Sequence, residues 1–204
     1  MSAVVGTASN WREFSPLVFD GVLRAAADAF VAVGYHGTTM REIARRAGLS
    51  VPGLYHHHAS KQAMLVAVLK GSVDDLRWRA IAADEEGGED PVLRLELLVS
   101  CLVLFHCHRK GLALIAVSEL RNLEQPSRRL LTARRTEVQR LLDAAVLDGA
   151  ARGLFRAANP LDASRAIVTM CVAVGGWFRI ELPLTPDDVA DRYVDYALGM
   201  LDYR

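Results

Sequence analysis

The 204-residue chain has little of what most chemistries require. It holds three cysteines, Cys101, Cys107 and Cys171. Their odd number and wide spacing make no disulfide framework and fit a reducing, cytoplasmic setting. Net formal charge is zero, which excludes a uniformly basic nucleic-acid coat. The longest apolar run, LELLVSCLVLF, is interrupted by Ser100 and Cys101. It falls short of the about 20 apolar residues that cross a bilayer, so no membrane association is expected. The opening MSAVVGTASNWREF has no apolar core behind a basic start, so no secretion signal is expected. Strand-like alternation of useful length, internal repeats and low-complexity tracts are absent. So are a nucleophile elbow, a phosphate loop and a dinucleotide fingerprint. GGED at 87–90 lacks the strand context that would give it meaning.

What is present is apolar and helical in period. Hydrophobic residues make up 51% of the chain, enough for a sizeable core in one large or two small domains. Residues 1–80 hold nine Lys/Arg against six acids, an excess of +3 that the remainder reverses. Any polyanion should therefore meet the first third of the chain.

Phe19, Val22, Leu23, Ala26, Phe30 and Val33 recur at three-and-four spacing over 16–33, an amphipathic helix that Gly34 stops. Thr38 or Thr39 caps a short helix at about Met40–Ala47, which buries Met40, Ile43, Ala44 and Ala47. Gly48 ends it left-handed, and Ser50 caps a third, very short helix that tolerates Pro52 in its first turn. Ser60 opens a long fourth helix, which DEEGGEDP at 84–91 breaks. Further helices are expected at about 92–108, 111–122, 127–152, 160–180 and 186–202. The last has Thr185 as cap, Pro186 at its first position, and Asp187 and Asp188 at the positive end.

Helix, glycine-containing turn, helix is the helix-turn-helix unit, whose second helix lies in the DNA major groove. Ala44 is small where the helices cross, and Leu49 and Leu54 are expected to plug the core. Val51 and Pro52 point outward, where a thymine methyl offers apolar contact. Gly53 has no side chain, so the backbone there can approach a phosphate. Tyr55, His56 and Lys61 offer donors to backbone oxygens.

TTMREIARRAGLSVPGLYHHHASKQAML, residues 38–65, resembles the N-terminal DNA-binding signature of the TetR family of bacterial transcriptional repressors. The pattern runs through Thr39, Ile43, Ala44, Ala47, Gly48, Ser50, Gly53, Leu54, Tyr55, His57 and Lys61. The similarity is dense over residues 19–69. It implies an all-α chain of about nine helices. Residues 1–60 would be a three-helix DNA-binding domain, and 61–204 a ligand-binding and dimerisation domain. One position departs: His58 stands where the family usually carries phenylalanine packed under the fourth helix. A histidine there must find a hydrogen-bond partner or stay wet.

Adjacent helical residues point about 100° apart, so His56, His57 and His58 cannot share one ion, and no metal or cofactor is expected. His106, Cys107 and His108 are read as the end of a core helix, with Phe105 inward. The six arginines between Arg128 and Arg152 are read as a solvated face interleaved with Glu137, Asp143 and Asp148. Gly175 and Gly176 permit close helix approach or a kink. The final helix puts Val189, Tyr193, Tyr196, Ala197, Met200 and Leu201 on one face, which suits a four-helix interface across a two-fold axis. The ending WFRIELPLTPDDVADRYVDYALGML is similar to that of TetR-type regulators of lipid, fatty-acid and sterol catabolism, some of which respond to acyl-coenzyme A thioesters.

These readings make the chain a non-enzymatic, ligand-responsive repressor. It would bind a palindromic double-stranded operator as a homodimer. A small apolar or amphipathic effector, of lipid or acyl-coenzyme A kind, would release it. The candidate DNA contacts are Thr38, Thr39, Ser50, Val51, Pro52, Gly53, Tyr55, His56 and Lys61. Candidate effector contacts are Phe105, His108, Leu120, Trp177 and Phe178. Candidate dimer contacts are Val174, Tyr193, Tyr196, Ala197 and Met200. The competing readings are a helical enzyme and a protein-interaction module, neither of which would bind duplex DNA with a steep salt dependence.

Overall fold

A computed structural model of the chain describes residues 10–120, 123–179, 181 and 183–203. Among these residues every regular element is a helix. The nine are α1 (Gly21–Gly37), α2 (Met40–Ala47), α3 (Val51–His57), α4 (Lys61–Gly87), α5 (Pro91–His108), α6 (Lys110–Glu119), α7 (Gln125–Ala151), α8 (Pro160–Trp177) and α9 (Pro186–Met200). They form two compact units. The first takes residues 15–75 and 111–133; the second takes 10–14, 76–110 and 134 onward.

In the first unit, short polar side chains set the helix starts. Asp20 accepts from the Leu23 amide at 2.8 Å, Thr39 from Glu42 at 3.2 Å, Ser50 from Gly53 at 3.1 Å and Ser60 from Ala63 at 3.0 Å. Glycines set two of the breaks. Gly34 has φ 75° and interrupts α1 before one further turn to Gly37. Gly48 has φ 68° and closes α2, and the Leu49 amide then reaches back to the Ala44 carbonyl at 2.9 Å. Phe30, Ile43, Ala44, Leu54, Met64, Leu65, Val68 and Leu69 make the core, joined by Ile115, Leu123 and Leu131. Gly111 of α6 fits against α1, since a Cβ there would lie 2.7 Å from Val31 Cγ1.

Two residues expected in this core lie outside it. Leu49 is 36% exposed, because it follows the left-handed Gly48 and leaves Leu54 alone to fill the space. Val33 is 55% exposed. It lies against Gly37, which has no side chain to cover it.

The second unit is built around α5, which packs on α8 and α9. Its core joins Leu95, Leu98, Val99, Leu102 and Val103 of α5 to Val138, Leu142, Ala145 and Val146 of α7, Ile167 and Cys171 of α8, and Ala190 of α9. By length and composition α5 can cross a bilayer, contrary to the expectation from its longest apolar run, but 61% of that window is buried inside the protein, as in the core helix of a globular unit. Gly175 and Gly176 lie within α8 without a kink. Thr185 and Asp188 close a capping box on α9.

Residues 10–14, ahead of α1, belong to this second unit, a feature the sequence patterns did not reveal. Trp11 is buried, and its Nε1 donates to Glu86 at 2.7 Å. Arg12 grips the same carboxylate with two bonds of 2.8 and 2.9 Å. The buried Arg79 guanidinium donates to the Trp11 carbonyl and lies 3.9 Å from the centre of the Phe14 ring.

His106 is buried in α5, and its Nδ1 donates to the Leu102 carbonyl at 2.7 Å. Burial above all pushes its pKa down from 6.5 to about 4; the Leu102 bond opposes the shift and the Arg135 charge adds to it. The neutral ring is the folded form, so its contribution to stability is complete above pH 6.5 and is lost as pH falls through about 4. The loss is about 3 kcal/mol. Denaturant titrations should show it, and a His106→Leu variant should show a flatter profile over the same window. Separately, a Cβ on Gly149 would lie 2.2 Å from the Phe155 ring. Gly149→Ala should lower the unfolding free energy by about 1–3 kcal/mol. An unchanged denaturation midpoint would show that Phe155 yields freely.

Candidate nucleic-acid interface

The short helix α3 presents its outer face to solvent. Leu54, 0% exposed, anchors it from below. Pro52, Tyr55, His56 and His57 are exposed, and Val51 and Gly53 are half-buried at its leading turn. The hydroxyls of Thr39 and Ser50 are exposed and cap α2 and α3. Seven of the nine candidate DNA-contacting residues therefore share one accessible edge made by α2, the Gly48 turn and α3: Thr39, Ser50, Val51, Pro52, Gly53, Tyr55 and His56.

The other two are used differently. Thr38 is 1% exposed, and its Oγ1 donates to the Gly34 carbonyl at 2.7 Å, so its side chain closes the α1 corner and faces no ligand. Lys61 directs its ammonium inward. Nζ donates to the Tyr35 and Thr38 carbonyls, each at 2.8 Å, and lies 4.3 Å from the Tyr35 ring centre. The expected phosphate donor thus first serves as a clamp on two backbone carbonyls.

A cationic group that motif reading passed over lies on α2. Glu42 accepts from Arg45 at 2.9 and 2.7 Å and from Arg46 at 2.7 Å. These bonds, Arg45's first, pull the Glu42 carboxyl down to about 2. The spacing of three and four residues is the signal that could have revealed it. His58 is half-buried as the C-cap of α3. Burial pushes its imidazole below the usual range, opposed by Asp20, so the ring stands neutral where the motif usually places an apolar one.

Of the effector candidates, Trp177 and Phe178 have neighbouring rings, with centroids 6.2 Å apart. Phe105 and Phe178 are 3% and 2% exposed within the second unit's core. His108 is exposed and stacks on Phe14 at 4.4 Å. Trp177 is 40% exposed, and Leu120 belongs to the first unit. Among the dimer candidates, Val174 and Ala197 are fully buried inside the chain, where no second copy can touch them. Tyr196 and Met200 are exposed, and Tyr193 joins Tyr196 and Trp177 in a strip of neighbouring rings at 5.8 and 6.4 Å. Among the arginines read as a solvated face, Arg135 is half-buried.

Residues 22–68, which carry this edge, match the family model described as bacterial regulatory proteins, tetR family. Residues 88–201, more than half the chain, match the tetracyclin repressor-like C-terminal domain. The chain belongs to the TetR family. The HTH-type transcriptional repressor KstR2 of Mycobacterium tuberculosis is 32% identical over 183 residues, 87% of this chain and 90% of the relative. A solved tetR-family regulatory protein from Rhodococcus RHA1 has a TM-score of 0.84 at 27% identity, covering 90% of this chain and 96% of that one. The solved ketosteroid transcriptional regulator KstR2 of M. tuberculosis has a TM-score of 0.80 at 27% identity, with 96% and 97% covered. This TetR-family chain is therefore a helix-turn-helix transcriptional regulator.

Lys61→Met keeps the aliphatic stem and removes both carbonyl bonds. It should destabilise the protein by about 1.5–3 kcal/mol, the range for hydrogen bonds to a charged group. Thermal melting checks this; an unchanged melting temperature would mean that the ammonium is dispensable to the corner.

Proposed function

We propose that the chain is a cytoplasmic, homodimeric repressor that lays Val51–His56 in successive major grooves of an inverted-repeat operator. The observation that carries this reading is the exposed edge of α3 above a fully buried Leu54, with the Arg45 and Arg46 cations on the preceding helix. On this reading Thr39, Ser50, Tyr55 and His56 take backbone oxygens, Gly53 allows close approach of a phosphate, and Val51 and Pro52 touch base edges. Residues 1–60 are the DNA-binding domain, and 61–204 hold the effector and join the dimer.

The strip of Trp177, Tyr193, Tyr196 and Met200 suits a self-complementary interface, since large exposed apolar side chains on adjoining helices favour burial against a second copy. Repression is the sign carried by the KstR2 relative's name, and that protein's description as a ketosteroid regulator supports an apolar or amphipathic effector here. The effector lowers operator affinity by its preference for the conformation that binds DNA less well.

Gel shift and footprinting on genomic fragments test the whole reading. A footprint with two-fold symmetry and steep salt dependence is expected. A chain that prefers no duplex over random competitor overturns it, as an enzyme or a protein-interaction module would. Val51→Ala should change the base preference at one position per half-site, by about 1 kcal/mol of discrimination. Selection from a random duplex pool reads this directly, and an unaltered profile removes Val51 from the base contacts. Tyr196→Arg should give monomers in sedimentation and lose the two-fold footprint.

A further inference from the structure

The outer face of α2 is charged from end to end. Ile43 and Ala44 are buried, so Arg41, Glu42, Arg45 and Arg46 fall on the side turned to solvent. The three arginines are exposed. Glu42 is the third residue of the helix behind its Thr39 cap. An acid at that position ordinarily reaches back to the cap's amide, as Asp188 does toward Thr185 in α9 at 2.7 Å. Glu42 reaches forward instead. Its Oε2 accepts from Nε of Arg45 at 2.9 Å, and its Oε1 accepts from Nη2 of Arg45 and Nε of Arg46, each at 2.7 Å.

These bonds occupy one edge of each guanidinium. Nη1 of Arg45 and both Nη groups of Arg46 meet no partner among the described residues. Two forks are thus gathered on one carboxylate with donors still unused. One acid against two guanidiniums leaves a single positive charge. In a helix-turn-helix, the helix before the recognition helix crosses the nucleic-acid backbone, and here that helix is α2. Guanidinium forks match phosphate oxygens, and phosphate contacts set position without reading bases.

We propose that Arg45 and Arg46 form a clasp for one phosphate of duplex DNA, and that Glu42 is its positioning residue. The shared carboxylate orients both guanidiniums before DNA arrives, which favours the register in which a phosphate meets them. It also cancels one of their two charges, which holds down attraction to any duplex whatever its sequence. Glu42 thus sets how far the operator is preferred over other DNA. The assignment rests on the reading of α2 and α3 as a DNA-binding edge, and it adds residues that govern the selectivity of that edge.

The test uses the full chain as wild type, Arg46→Met, Arg46→Lys and Glu42→Gln, with circular dichroism melting to check folding. Each is titrated across a salt series against a duplex that the wild type selects from a random pool and against the same duplex scrambled. Arg46→Met leaves a neutral Arg45–Glu42 pair. It should weaken binding to both duplexes by a similar factor and flatten the log–log salt slope by about 0.9, the share of one phosphate. Arg46→Lys keeps the charge without the fork, so it should keep the slope and lose part of the operator preference. Glu42→Gln keeps the size and removes the charge. It should bind the scrambled duplex about fivefold more tightly with a steeper slope, gain less on the operator, and lose about threefold in selectivity. An Arg46→Met slope equal to that of the wild type overturns the clasp. So does a Glu42→Gln variant that shifts melting alone and leaves both affinities unchanged. A wild type that selects no duplex overturns the DNA-binding reading as well, whereas a selective wild type matched by all its variants overturns the clasp alone.

Discussion

Three stretches of chain meet at the Lys61 ammonium. It holds the Tyr35 carbonyl near the end of α1 and the Thr38 carbonyl just before α2, while belonging itself to the first turn of α4. The Tyr35 carbonyl also accepts from the Thr38 amide at 3.3 Å, so the ammonium adds a charge-assisted bond at a helix end. Thr38 completes the corner by closing on the Gly34 carbonyl. The direction in which α2 leaves follows from these bonds, and the position of α3 follows from α2 through Gly48. The placement of α3 therefore depends on a cation turned toward the protein's own backbone.

Further contacts of the first unit converge on the same corner. Glu119, at the end of α6, lies 3.6 Å from the exposed His36 ring, and burial, with the Glu119 charge second, raises the Tyr35 hydroxyl pKa. Glycine at 111 lets α6 approach Val31 of α1. A displacement of α6 would be felt at Val31 and His36 of α1. Tight packing around such a corner favours discrete alternative positions over gradual deformation, which is what a two-state regulator requires.

Much of this was legible in the amino-acid sequence, because local rules decided it. Gly34, Gly48, Ser50, Ser60 and Thr185 acted where backbone conformation or a missing amide partner demands them, and the expected α2 boundaries hold to the residue. Directions of side chains that depend on distant partners were not legible. The motif places Lys61 at the surface; only the folded chain shows two carbonyls 23 and 26 residues away in sequence drawing it inward. Val174 and Ala197 lie on faces that suit a dimer by period, yet α5 and its neighbours already cover them. Arg135 looked like one arginine among six on a solvated face, yet it is half-buried.

The attachment of residues 10–14 has an optical consequence. The chain has three tryptophans, and Trp11, Trp78 and Trp177 all fall in the second unit. Trp11 is sealed against Glu86, while Trp177 is open to solvent. The first unit contains only tyrosines among its strong ultraviolet chromophores, Tyr35 and Tyr55. Indole emission therefore follows the second unit and is nearly blind to the helix-turn-helix, so a spectral change on adding a small molecule reports on the second unit before any crystal is grown.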